Sequence, residues 1–532
     1  MNVIMIIVSA ALTGLCFTWY KAGFLALFTV IPFFYVILKE ANRPHKPIKY
    51  YGYGYLFGLV FYACIFYWFK YQYPLEYLNF TKFEAVAYVA LTWFGSGLLL
   101  SVLFALFPLC VGLFSRTKLC KKYTFLFIPF ASCAYVIIEF LFTLGSLATP
   151  WARLAITQQS NILGIQTASV FGSYFISFII ISVNAALAYG IYELKNHKNK
   201  KAAVICLICS AALFFGNMGV GAILYAADKN KTEELPKYTA AALQGNIVSG
   251  RSEIGSYTDV CDYFLDISEK EIGENGTKLI VMPEGSFSIE LDKYPKFKKR
   301  LIDFCAEHDV VVIFGCYEHD GDDFYNVTYC ISPDGTVTGP YRKQHPVPFG
   351  EFTPAKDIIL ALMPFLKDVT NIGDELSAGK ESVVFDSTLG KLGAFICFDS
   401  AFEGIGYEET AKGATVLTES TNDSWWMDSI QLYQHNGHAI LRAVEGRRYV
   451  VRSSAAGYST VISPEGEIIS GVQPLTAGFA TAEIAPREDL SFYHKTPYLF
   501  PALCLSAVLG GFVWAVIYKK RGISKNNDGK VL

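Results

Sequence analysis

Charge is what this sequence has least of. Asp, Glu, Lys and Arg make up 17% of its 532 residues, against roughly 25% in soluble domains. Hydrophobic residues reach 52% and aromatics 15%, so much of the chain belongs in lipid. A basic surplus is also missing. The chain has 45 Lys and Arg against 47 Asp and Glu, a net charge of −2, which argues against nucleic acid as a partner because phosphate binding needs a concentrated basic surface. The 13 cysteines lack zinc-site spacing. One pair, Cys206 and Cys209, has the CxxC interval but lies inside an apolar run and reads as packing. There is no solenoid repeat and no low-complexity block. No Lys or Arg precedes the first apolar stretch, so it makes a poor signal peptide and reads as retained.

What is present is a series of long apolar runs. About 20 such residues cross ~30 Å of hydrocarbon. Candidate spans are residues 3–18, 23–38, 53–69, 85–107, 123–142, 162–192, 202–226 and 498–518, the sixth being overlong. Lys and Arg cluster in every second connection: Lys39, Arg43, Lys46 and Lys49; Arg116, Lys118, Lys121 and Lys122; Lys195, Lys198, Lys200 and Lys201; and the tail with Lys519, Lys520, Arg521 and Lys525. The alternate connections are poorer in charge. Positive loops stay cytoplasmic, which predicts two cytoplasmic termini and an extracytoplasmic segment between the last two spans. The expected organisation is a membrane domain over 1–226 with about seven helices, a soluble domain over 227–496, a returning helix over 497–518 and a basic tail over 519–532.

Within 227–496, short β-type runs alternate with polar helical stretches. Strands are expected at 240–244, 279–283, 310–315, 325–332, 337–341, 382–385, 392–397, 415–419, 449–453 and 459–462, and helices at 252–270, 295–307, 401–412 and 429–447. Turn signatures stand at Pro333-Asp334-Gly335 and Pro464-Glu465-Gly466. This is an α/β pattern of paired sheets covered by helices.

Four stretches place a reactive group just past a buried run. Leu392-Gly393-Ala394-Phe395-Ile396 ends at Cys397, a candidate nucleophile, with Phe398 and Asp399 following. Leu279-Ile280-Val281-Met282-Pro283 leads to Glu284, a candidate general base. The loop from Tyr341 to Phe352, stiffened by Pro346, Pro348 and Gly350, displays Lys343 and Glu351, and a held ammonium can stabilise an oxyanion. Trp425 and Trp426 sit in a polar stretch, where they serve as core anchors or meet an acyl chain or bilayer interface. Taken singly, Cys397 reads as a small core residue, Glu284 as a loop acid and Lys343 as a solvated base.

Taken together, they resemble the nitrilase superfamily, which uses a Glu–Lys–Cys triad on strand ends. With spans on both sides of the domain, the chain is similar to the superfamily's membrane-embedded branch, the bacterial apolipoprotein N-acyltransferases. Gln244-Gly245-Asn246, the 346–351 loop and Asn422-Asp423-Ser424-Trp425 match as well. The resemblance implies a multi-span helical domain joined to an α-β-β-α sandwich. It assigns Glu284 as base, Lys343 as oxyanion partner, Cys397 as the thioester-forming nucleophile and Glu351 as support, with Trp426 near the acyl pocket. Asp399 stands where the family usually has glutamate and Phe398 where it often has tyrosine. The implied substrates are a phosphatidylethanolamine-like phospholipid donor and a diacylglyceryl lipoprotein acceptor, at the outer face of a bacterial cytoplasmic membrane. No metal or other cofactor is needed, and a monomer is expected.

Three rivals use the same residues differently. A membrane-tethered amidohydrolase would resolve the acyl-enzyme with water. A transporter would use intramembrane groups such as Glu139. A Cys–His hydrolase would recruit His345, His435 or His438, although the last two read as solvated on a polar helix. Residues 350–373 and 421–428 are candidate lid loops, and Cys261, Cys305, Cys316 and Cys330 are available for pairing.

Overall fold

The computed structural model describes the chain except for residues 75–79, 249–255, 355, 358–360, 362–374 and 528–532. Most of the 350–373 lid candidate and the first residues of the 252–270 helix lie outside the described residues.

Among the described residues, six helices are long and apolar enough to cross a membrane: Tyr20–Glu40, Lys82–Ser115, Thr124–Leu141, Ser173–His197, Lys200–Glu233 and Leu499–Lys520. Each coincides with an expected span. Of the other two, Asn2–Thr18 is apolar but only 17 residues long, and Ile48–Ile65 is diluted by tyrosines. The overlong run at 162–192 is divided at Gly172. This residue has φ +75° and a Cβ there would lie 2.6 Å from the Tyr493 ring, so the chain turns before Ser173–His197 begins. Thr81 and Glu84 cap Lys82–Phe104 reciprocally. Phe33, Phe34, Phe57, Phe61, Phe104 and Phe107 form the middle of the helical core. Phe83, Phe215, Ile223 and Val513 point outward, as a lipid-facing surface requires.

The soluble part holds 12 described strands: β1 Tyr238–Gln244, β2 Leu279–Val281, β3 Val311–Asp320, β4 Asp323–Ile331, β5 Val337–Arg342, β6 Phe385–Ser387, β7 Gly390–Ile396, β8 Val416–Thr421, β9 Val450–Ser454, β10 Ser459–Ile462, β11 Ile468–Val472 and β12 Gly478–Ile484. They form two six-stranded sheets in the orders β12-β1-β2-β3-β4-β5 and β11-β10-β9-β8-β7-β6. Each sheet has three parallel strands at its centre (β1, β2 and β3; β7, β8 and β9) flanked by antiparallel ones. The sequence does not announce β11 and β12, because their burial is mixed and lacks clean alternation. β12 nevertheless pairs along all of β1.

Ala240, Val281, Ile313, Tyr341, Ala394, Ile396, Val416 and Val451 pack between the sheets. Two side chains tie the layers near the parallel strands' carboxyl ends. Ser420 Oγ donates to the Met282 carbonyl at 2.8 Å and Ser453 Oγ to that of Leu243 at 2.5 Å. Helices Tyr257–Asn275 and Pro295–His308 cover the outside of the first sheet. Helices Glu403–Ala411 and Ile430–Gly446 cover the second, and their far side meets the membrane helices in one continuous core.

That wedge corrects an expectation. Ile430–Gly446 has a polar sequence, yet His435 and His438 are each only 1% exposed. Its polar face meets protein rather than water. Gln434 Oε1 accepts hydrogen bonds from Trp68 and Trp151, both in the helical domain, at 3.1 and 2.8 Å. Arg153 reaches Glu403 at 2.8 Å, and Arg442 reaches Glu445 at 2.7 Å. All 13 cysteines are free, Cys261, Cys305, Cys316 and Cys330 included.

Candidate active site

The reactive groups come from strand ends. Pro283 and Glu284 follow β2, Lys343 follows β5, and Cys397 follows β7. Lys343 is buried, and its Nζ lies 2.9 Å from Glu284 Oε1 and 2.7 Å from Glu351 Oε1. Asn326 Nδ2, from β4, donates to the same Glu284 oxygen at 2.7 Å. The other Glu351 oxygen accepts the Val347 amide at 2.7 Å, which folds the Pro-rich loop back onto the lysine. Burial works against the Lys343 charge, but Glu284 and Glu351 outweigh it and hold its pKa well above the ordinary lysine value.

Cys397 caps β7 in a left-handed conformation, φ +52°, at the turn into the 3-10 segment Cys397–Ala401. Its side chain is part-buried. Burial pushes the thiol well above its usual pKa. Glu284 pushes the same way, Lys343 opposes, and Asp423 and Glu351 add smaller upward shifts. A proton on the resting thiol is therefore expected at neutral pH. Alkylation of Cys397 by iodoacetamide, followed by peptide mass mapping, should still be climbing above pH 9, whereas an ordinary cysteine is half-ionised near ~8.5.

Asp399 is fully buried and organises the turn. It accepts the Tyr341 hydroxyl at 2.8 Å and the backbone amides of His345 at 2.8 Å, Gln344 at 3.3 Å and Ile396 at 3.4 Å. The shorter acid thus joins the lysine loop to the nucleophile's strand. Asp399→Asn would turn an amide N–H₂ toward one of these donors. A loss of about 2–3 kcal/mol of stability is expected, measured by thermal unfolding in detergent.

Phe398 is buried, edge-on to Phe402 at 5.3 Å and facing Trp151 at 6.1 Å. Trp426 packs on Trp68 at 4.3 Å and on Phe69 at 5.4 Å, while Trp425 is 39% exposed. The two adjacent tryptophans therefore separate, one toward the helical domain and one outward. His345 stacks on Phe402 at 3.6 Å and points Nδ1 toward Asp399. Glu139 accepts the Leu154 amide and the Ser177 hydroxyl, which fastens a loop within the helical domain.

Behind Cys397 the structure joins Asp423 and His435 to two charged residues the sequence does not single out, Arg452 and Glu419. Asp423 accepts from His435 at 2.7 Å and from Arg452 at 2.6 Å, and Arg452 also reaches Glu419 at 3.2 Å. An arginine within the run Val450-Val451-Arg452 was the available signal, since a buried strand carries such a charge only with partners.

The carbon-nitrogen hydrolase family model matches residues 239–489. The model of the apolipoprotein N-acyltransferase N-terminal domain matches residues 9–186. The chain belongs to the apolipoprotein N-acyltransferase family. It is 26% identical to the apolipoprotein N-acyltransferase of Geobacter metallireducens over 492 residues, covering 90% of this chain and 88% of the relative. It is 25% identical to apolipoprotein N-acyltransferase 1 of Treponema denticola over 532 residues, covering 93% and 92%. Among solved structures, Nit3 of Saccharomyces cerevisiae, a member of branch 10 of the nitrilase superfamily, matches 49% of this chain and 95% of its own at 22% identity, with a TM-score of 0.37. The two models match this chain in the order of its fold, the helical domain first and the carbon-nitrogen hydrolase domain second.

Proposed function

We propose that this acyltransferase moves a fatty acyl chain from a phosphatidylethanolamine-like phospholipid to the α-amine of the S-diacylglyceryl cysteine of a lipoprotein, through a thioester on Cys397. Lipoprotein N-acylation is the activity of its family. The observation that carries the reading is the continuity of the site with the helical domain. Trp68, Trp151, Trp426 and Phe398 form one aromatic cluster between the lipid-type helices and the residue beside the thiol. An acyl chain can follow such a wall without crossing water.

In the first half-reaction, Glu284 takes the Sγ proton as sulfur attacks the ester carbonyl. The tetrahedral oxyanion forms beside the Lys343 ammonium, whose charge Glu351 helps to hold. Collapse breaks the C–O bond. Glu284 returns the proton to the departing oxygen, and a lysophospholipid leaves. In the second half-reaction, the lipoprotein amine attacks the thioester carbonyl, Glu284 accepts an amine proton, the C–S bond breaks and the thiolate is reprotonated. An amide and free Cys397 remain.

The alternating basic loops support a site on the extracytoplasmic face of the cytoplasmic membrane, with both termini inside. The same reasoning keeps residues 227–496 as the catalytic domain between two membrane parts. Mass spectrometry of lipoprotein N-termini from cells with this protein as their one such enzyme tests the reading. Triacylated termini support it. Diacyl termini with release of free fatty acid would mean that water resolves the acyl-enzyme, as in an amidohydrolase.

A further inference from the structure

We infer that His435 is a positioning residue for the nucleophile, acting through the main-chain carbonyl of Cys397. This rests on Cys397 being the acyl carrier.

The left-handed turn at Cys397 is a conformation that residues with a Cβ rarely adopt. It is retained only where the surroundings over-determine it. Here the Cys397 carbonyl faces His435 Nε2 at 3.0 Å and Ser400 Oγ at 3.1 Å, and the single Ser400 hydrogen is shared with Glu419 Oε1, also at 3.1 Å. The opposite ring nitrogen, Nδ1, lies 2.7 Å from Asp423 Oδ1. Glu419 Oε1 lies 3.4 Å from Nε2. Carbonyl and carboxylate oxygens accept and do not donate. Asp423 also takes hydrogen bonds from Arg452 and Gln431, and burial's upward push on its pKa is overcome by His435 and Arg452, so it stays ionised. Both nitrogens of His435 thus face oxygen acceptors, and the ring is held in place by Asp423 and covered by Trp151 at 5.3 Å.

Two consequences follow. With both ring nitrogens engaged by Asp423 and the Cys397 carbonyl, His435 is placed as a clamp rather than as the base of a Cys–His hydrolase, within 4.8 Å of the Cys397 sulfur. Asp423, His435 and Cys397 also have the mutual spacing of a metal site. A metal ion there would have to displace the His435 and Arg452 hydrogen bonds to Asp423, so the cluster reads as a hydrogen-bonded brace. The brace spans β8 through Glu419, the turn through Asp423, β9 through Arg452 and the wedged helix through His435. The preceding residue on that helix, Gln434, holds Trp68 and Trp151. Adjacent side chains thus fix the aromatic cluster and the nucleophile to one scaffold.

Two substitutions separate the ring's two hydrogen bonds. His435→Asn keeps a donor near the Nδ1 position, toward Asp423, and loses the one to Cys397. His435→Gln keeps a donor near Nε2, toward the Cys397 carbonyl. The readout is single-turnover formation of the Cys397 thioester from phosphatidylethanolamine in detergent micelles, alongside KM for the phospholipid and thermal unfolding. A misaimed sulfur is expected to slow H435N on the order of 100-fold, with KM little changed, while H435Q recovers most of the rate. Thioester formation by H435N at the wild-type rate, or equal defects in both folded variants, would overturn the proposal. If H435N does not fold, H435Q decides: a rate within a few-fold of the unsubstituted protein supports the proposal, and a loss on the order of 100-fold in the folded H435Q protein overturns it. Absence of a Cys397 thioester in the unsubstituted protein would instead sink the site assignment itself.

Discussion

Cys397→Ala should lower acyl transfer on the order of 10⁵-fold or more while the protein folds and inserts normally. The size of the loss follows from the chemistry. Without sulfur no covalent intermediate forms, and the oxyanion partner and bound substrates cannot replace it. The described structure offers no substitute nucleophile at this strand end. Its other cysteines lie elsewhere, in the helical domain or among β-sheet and helix side chains. Stability should change little. Cys397 is part-buried at the edge of the inter-sheet core, and deleting one sulfur from such a place costs about 1 kcal/mol. Asp399, Ser400 and His435, which shape the turn, hold main-chain atoms that the substitution leaves in place. The check is radiolabelled acyl transfer together with thermal unfolding of the purified variant.

Lys343→Met should lose less activity than the cysteine variant, but unlike that variant it should also be unstable. The ammonium sits between two carboxylates at 2.9 and 2.7 Å. Removing it leaves two acids facing each other in a poorly solvated pocket. Breaking a buried pair from one side costs about 3–5 kcal/mol. Loss of a charge aimed at the oxyanion adds about 10²–10³ in rate. Lys343→Met combined with Glu351→Gln should regain part of the stability, because one of the stranded charges is gone, but none of the activity. Thermal unfolding and transfer assays on the single and double variants separate the two effects. Equal melting temperatures for K343M and the double variant would contradict the electrostatic reading of the pocket.

Much of the site was legible because its residues obey local rules. Glu284, Lys343 and Cys397 each follow an apolar run at a strand's carboxyl end, where a sheet exposes side chains to a crevice. Six long helices were legible because a bilayer demands apolar length. Three things were not. Residues 468–472 and 478–484 form strands only because neighbours already in place accept their backbone hydrogen bonds. Gly172 breaks an apolar run that composition alone makes continuous. The polar helix carrying His435 reads as solvated because a periodicity argument assumes water on one side. Here that side is occupied by the helical domain, and Gln434, Arg442 and Glu445 find partners inside the protein.

The central claim is that a thiol at residue 397 carries the acyl group between two lipid substrates. Incubating the purified protein with phosphatidylethanolamine and no acceptor, then mapping its peptides by mass spectrometry, tests this most directly. A hydroxylamine-sensitive fatty acyl adduct should appear on the peptide containing Cys397 and disappear when a diacylglyceryl lipopeptide with a free amine is added. An adduct on another residue, or one on Cys397 that the lipopeptide does not discharge, would contradict the account.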